Sequence, residues 1–198
     1  MDLIKPLTAT LGGGAMATGA YLTRDSWMPS EKPKVQAKKS VSQALTEAKY
    51  KPLDITKEAG WTEVLAKYNE AHSSATKDIS QLKGECKVLL EKEEFIDSDY
   101  QKARRWCVEI QSVGDRLKLF GKVALSTDAS VNTDNEKWKA KIENHKKDHP
   151  NKLNHNFGAE ENQNLTDIKS KCKELEGKKS TDESFESDFS KSVEWCAQ

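Results

Sequence analysis

Asp99-Tyr100-Gln101-Lys102-Ala103-Arg104-Arg105-Trp106-Cys107 returns near the C-terminus as Asp188-Phe189-Ser190-Lys191-Ser192-Val193-Glu194-Trp195-Cys196. Both stretches read Asp-aromatic-x-Lys-x-x-x-Trp-Cys. Tryptophan and cysteine are rare, and each copy has a second cysteine upstream in a similar setting, Leu82-Lys83-x-x-Cys86-Lys87 and Ile168-Lys169-x-x-Cys172-Lys173. The chain reads as one module used twice.

Working outward, the residues before the first copy carry the strongest periodic signal. Trp61, Leu65, Tyr68, His72, Ala75, Ile79, Leu82, Cys86 and Leu89 recur at alternating steps of four and three, the seam of a helix packed at coiled-coil-like angles. One long helix or two abutting ones fit, with His72-Ser73-Ser74-Ala75-Thr76 as the place for a break. Ser98 is a candidate N-cap for the next helix. There Tyr100, Ala103, Cys107, Ile110, Val113 and Leu117 form a second stripe, with Trp106 sealing its edge. An antiparallel hairpin results. A shorter amphipathic segment with Val41, Ala44, Leu45 and Ala48 precedes it and ends before Pro52. In the second copy Trp138, Ile142, His145 and His149 match Trp61, Leu65, Tyr68 and His72. Leu165, Ile168, Cys172 and Leu175 resume the seam, and Phe185, Phe189, Val193 and Cys196 supply the last helix. Trp138 to Cys172 is longer than Trp61 to Cys86 by nine residues. The insertion falls at Pro150 to Gly158, where Pro150 ends or kinks the helix. Residues that bear on function are expected where the copies differ, above all there.

The hairpin gives the cysteines a geometry. The midpoint of Cys86 and Cys107 lies in one predicted turn, and that of Cys172 and Cys196 at the edge of the breaker ending at Ser184. Of three possible connectivities, this favours Cys86–Cys107 and Cys172–Cys196. Each bond would contribute about 3 kcal/mol in the chain-entropy model, and small modules with thin cores benefit from such staples. Reduced, buried cysteines are the competing reading.

The fold class expected is all-α: two tandem helical-hairpin modules, each stapled by one disulfide, behind an N-terminal apolar anchor. The divisions are 1–25 for the signal or anchor segment, 26–40 for an exposed spacer, 41–120 for the first module and 121–198 for the second. Trp61, Trp106, Trp138, Trp195, Tyr100 and Phe189 are assigned to the structural core. Residues 6–22 carry no charge. At about 1.5 Å per residue they span roughly 25 Å, a little under a bilayer's hydrocarbon core, so they read as a cleavable export signal or a single-span anchor. A soluble Gly/Ala-rich leader is the bland alternative.

Composition limits the rest. Of 198 residues 35% are apolar and 32% charged, and 32 basic side chains balance 32 acidic ones. No global field points to nucleic acid. Lys102, Arg104 and Arg105 beside Trp106 suggest a basic patch, but the second copy has Val193 and Glu194 there, so a solvated helix face is the better reading. His145, His149 and His155 invite a metal reading, yet the His-Glu-x-x-His pattern is absent and the repeat aligns His145 and His149 with ordinary seam positions, Tyr68 and His72. No cysteine pair has structural-zinc spacing. Gly12-Gly13-Gly14 lacks the Lys-Ser/Thr ending of a phosphate loop, and no nucleophile elbow occurs. No catalytic residue, metal or cofactor is assigned, and the chain is read as not an enzyme.

The apolar leader, the Lys-rich spacer, Gly60-Trp61 opening a helix and the terminal Glu194-Trp195-Cys196-Ala197-Gln198 together resemble the paralogous families of small surface or exported proteins of haemotropic mycoplasmas. The resemblance implies a protein anchored in the cell membrane through residues 6–22 with its C-terminal body outside, or secreted once the leader is cut. It also implies display to the host and a host-cell or other protein partner. A soluble intracellular adaptor with reduced cysteines is the alternative.

Overall fold

A computed structural model describes residues 39–149 and 151–198; the apolar leader and most of the spacer lie outside the described residues. Eight helices run through the described residues: α1 (Val41–Glu47), α2 (Trp61–Ala71), α3 (Ile79–Glu91), α4 (Asp97–Trp106), α5 (Val113–Leu119), α6 (Asn135–Lys146), α7 (Glu161–Glu176) and α8 (Phe185–Trp195). The protein is all-helical, two tandem hairpin modules each closed by a disulfide. Cys86 bonds Cys107 at an S–S distance of 2.00 Å, and Cys172 bonds Cys196 at 1.99 Å.

The first seam is two helices, α2 and α3, broken at residues 72–78. Asp78 makes the break definite: its carboxylate accepts from the Gln81 amide at 2.8 Å while the Gln81 side chain accepts from the Asp78 amide at 3.0 Å. This reciprocal cap satisfies amides that a helix start leaves open. The next helix begins two residues earlier than Ser98 suggests. Ile96 is its N-cap, Ser98 sits in the first turn, and Asp99 accepts from the Ile96 amide.

The second stripe departs further from expectation. It is two helices, α4 and α5, because the backbone after Cys107 leaves the helix to pair with the segment before α2. The Leu53 amide donates to the Cys107 carbonyl at 2.9 Å, and the Glu109 amide to the Lys51 carbonyl at 2.8 Å. Ser112 then caps α5, accepting from the Asp115 amide at 3.0 Å. Apolar periodicity ran through this gap only because Ile110 and Val113 fall at helical spacing by coincidence.

Helix α5 takes in the second copy the place of α1 in the first. Ser40 and Ser112 cap them in the same way. The first amide of each donates to a carbonyl beyond the partner hairpin helix, Val41 to Lys92 at 3.0 Å and Val113 to Lys178 at 2.9 Å. Each helix is followed by a left-handed residue, Lys49 at φ 62° and Gly121 at φ 68°. Each then enters a short extended stretch that pairs with the residues after the second cysteine: the Leu125 amide donates to the Cys196 carbonyl at 2.9 Å, as Leu53 does to Cys107. Packing follows the same plan, α1 against α3 and α4, α5 against α7 and α8.

Both cores are organised by a tryptophan on the first long helix. Trp61 and Trp138 are fully buried, and each indole N–H donates to a carbonyl of the preceding loop, Asp54 at 2.9 Å and Ser126 at 3.2 Å. The second core adds Leu125, Ile142, Ile168, Cys172 and Trp195. Trp106 and Trp195 are 5% and 1% exposed, inside the cores and not at their edges, with Tyr100 at 6% and Phe189 at 0%. Gly60 precedes α2 at φ 83°, and a Cβ there would stand 2.6 Å from a Leu53 methyl. Only glycine satisfies both the backbone and the space.

Candidate functional site

Chemistry-bearing side chains gather in two places: the joint between the copies and the insertion in the second copy.

The joint is built from arginines that stand where the repeat has apolar residues. Arg104 on α4 occupies the position of Val193, and Arg116 on α5 that of Ala44. They are 4% and 1% exposed, so of the basic residues beside Trp106 Lys102 stays on the solvated face while Arg104 is buried and Arg105 half-buried. Arg104 donates to the Ser180 carbonyl at 3.3 Å and lies 3.6 Å from a Glu186 carboxylate oxygen. Arg105 donates to the Thr181 carbonyl. Arg116 donates to the Ala48 carbonyl at 3.1 Å and to Gln111 at 3.2 Å, with its guanidinium 4.0 Å from the centre of the Tyr50 ring. The Tyr50 hydroxyl donates to Glu186. Burial, and then the Glu186 charge, hold the Tyr50 and Tyr100 hydroxyls far above their ordinary range, so both remain neutral. A planar guanidinium that stacks and donates at once suits such a joint better than lysine. Donors of Arg104, Arg105 and Arg116 reach backbone carbonyls of the other copy at Ser180, Thr181 and Ala48.

The insertion is fastened to the body. Residues 147–160 connect α6 to α7 where residues 72–78 connect α2 to α3. Leu153 is buried at 5% exposure, and Phe157 packs against the second core. The Asn164 side chain holds Gly158 from both sides, donating to its carbonyl and accepting from its amide at 3.0 Å each. The Trp195 indole donates to the Asn151 carbonyl at 2.6 Å. Asn154, Asn156, Gly158 and Ala159 face solvent.

The three histidines meet here through aromatic rings and not through a shared metal-sized space. His149, Trp195, His145, Phe157 and His155 form a zigzag of edge-to-face contacts, with centroid separations of 4.9, 4.8, 4.9 and 4.8 Å in that order. The outer two histidines have carboxylates: His149 Nε2 is 3.6 Å from Glu194, and His155 Nε2 is 3.1 Å from Asp167. His149 lies past the end of α6, so it does not share a helix face with His145. Among the described residues no group of three His, Cys, Asp or Glu side chains is placed to hold a metal ion.

Beside the insertion, Leu125, Lys137, Ala140, Lys141, Asn144 and Glu194 line an open groove of about 250 Å³. Burial pushes the Lys141 ammonium below its ordinary range, and one of its N–H groups donates to the Glu194 carbonyl. The groove is smaller and more open than a small-molecule site.

The joint was missed in the sequence because arginine on a charged helix looks like surface; the signal available was an arginine facing an alanine or valine in the repeat. No helix among the described residues is long and apolar enough to cross a membrane. No protein-family model, no curated protein and no solved structure matches the chain.

Proposed function

We propose that the chain is an exported helical protein, held at the membrane through residues 6–22 with its two-module body outside the cell, and that it acts by binding another protein or by antigenic display. One observation carries this reading: all four cysteines are consumed in two intramodular disulfides, with no free thiol. Such bonds persist in oxidising compartments and are rare where glutathione and thioredoxin act. The uncharged run at 6–22 supplies a route to that side. The insertion suits binding, because a loop fastened by Leu153, Phe157 and Asn164 loses little further freedom on contact.

Surface labelling of intact cells with a membrane-impermeant reagent, paired with thiol counting before and after reductant, tests the reading. Labelled protein with no free thiol until reduction is expected. Four free thiols in a protein protected from the reagent would overturn it in favour of an intracellular adaptor.

A further inference from the structure

His145 is the centre of the five-ring zigzag and its most enclosed imidazole, 2% exposed, with a buried Nε2 that makes no hydrogen bond. It touches the insertion through Phe157 and the body through Trp195, and Trp195 in turn holds the Asn151 carbonyl. One ring therefore links the clasp to what it closes on. An imidazolium at that place would need a partner for each N–H, and the surroundings offer the cation little.

We propose that residues 151–160 form an acid-released clasp, with His145 as the group whose protonation undoes it. The charged and titratable groups around the ring set the direction. From the insertion, Lys152 and His155 face it; from just beyond its own helix, His149 does; all three disfavour a second positive charge. Burial is the largest influence and acts the same way, and the facing Leu153 carbonyl pulls in the other direction without overcoming it. On α7 and α8 the nearest carboxylates, Asp167 and Glu194, are engaged with the outer histidines and not with His145.

A histidine held below its ordinary value, about 6.5, binds protons more readily once its surroundings open. The closed clasp is therefore at full stability above that value and loses stability as pH falls below it. The outer histidines stand beside carboxylates, His149 with Glu194 and His155 with Asp167. Both pairs are partly exposed, with side-chain exposures of 32% and 46% for one and 25% and 26% for the other, where such pairs contribute little. The first copy serves as an internal control, because Tyr68 occupies the place of His145 and stacks on His72 at 4.2 Å.

Hydrogen exchange of the whole oxidised chain between pH 7.5 and 5.0, corrected for intrinsic rates, tests this. The amides of residues 151–158 are expected to lose protection as the pH falls, while residues 72–78 do not change. The loss is expected to vanish in His145→Phe and to persist in His149→Gln with His155→Gln. Unchanged protection in the natural chain, or a loss that survives His145→Phe, would overturn the proposal. Should His145→Phe fail to fold, the natural chain decides by NMR. The His145 ring is expected to titrate together with loop opening and below the ordinary histidine value, and a ring that titrates while the loop stays protected refutes it.

Discussion

The two copies solve one packing problem with the same parts and differ in how the long helices are joined. In the first, α2 and α3 meet through a short connector, and Tyr68, His72 and Trp106 form a closed ring cluster, with Tyr68 and His72 set edge-on to Trp106 at 5.2 and 5.5 Å. In the second, the connector is longer, Tyr68 has become His145, and the ring cluster extends outward to Phe157 and His155. The cysteine bridges, the buried tryptophan and the capped opening helix are unchanged. The module thus tolerates a new connector because the tryptophans, the bridges and the capped helix that both copies share lie outside it.

Four sets of substitutions break or sharpen that comparison. The largest effect is expected from the central tryptophans. Trp61→Ala and Trp138→Ala each remove a fully buried indole and should cost about 3–5 kcal/mol, read by denaturant unfolding; a clearly smaller loss at Trp138 would show that the insertion takes over part of its role. Next come the staples. The bridged residues are 21 and 24 apart, so the loop term is nearly equal and Cys→Ser at either pair should cost about 3 kcal/mol. Unequal losses would mean that one copy keeps residual order when unfolded. Arg116→Ala gives the second copy the residue the first has at Ala44. It strands the Ala48 carbonyl and removes the stack on Tyr50, for an expected loss of about 2–3 kcal/mol. Full stability would show that the joint is dispensable. The smallest effect concerns the left-handed residue after the opening helix. Gly121→Ala meets no atom within 4 Å, so only backbone strain is added, about 1 kcal/mol. Lys49→Gly relieves the same strain and forfeits the Lys49 bond to the Leu119 carbonyl at 2.7 Å. A net change near zero is expected, measured by thermal unfolding.

Much of the fold was legible because repetition amplifies weak signals. One Asp-aromatic-x-Lys-x-x-x-Trp-Cys stretch on a charged helix says little, and two with matched upstream cysteines define a hairpin and pair its sulfurs. What escaped was non-periodic. The extended pairing of Leu53 with Cys107 and of Leu125 with Cys196 uses backbone atoms, which no side-chain pattern reports. Helix α5 was hidden because Val113 and Leu117 continued the stripe of α4 in phase. The arginine joint was hidden because burial of a charge depends on partners far away in sequence, Ser180 and Glu186 for Arg104. In the insertion, the sequence located the divergence but not its fastening, since the Asn164 clamp on Gly158 is made of groups that elsewhere face water.

The residues after each second cysteine pair with the stretch that joins the opening helix to the tryptophan helix of the same copy, so the end of each module is tied back into its first part. A unit closed on itself in this way is a bead that can be strung. Residues 109–111 suffice to pass from one copy to the next, and neither copy must open to admit the other. A gene carrying such a unit can lengthen in frame by whole modules, each folding around its own bridge. Such arrays grow without inventing a new core, and their novelty collects in the connectors at the opposite end.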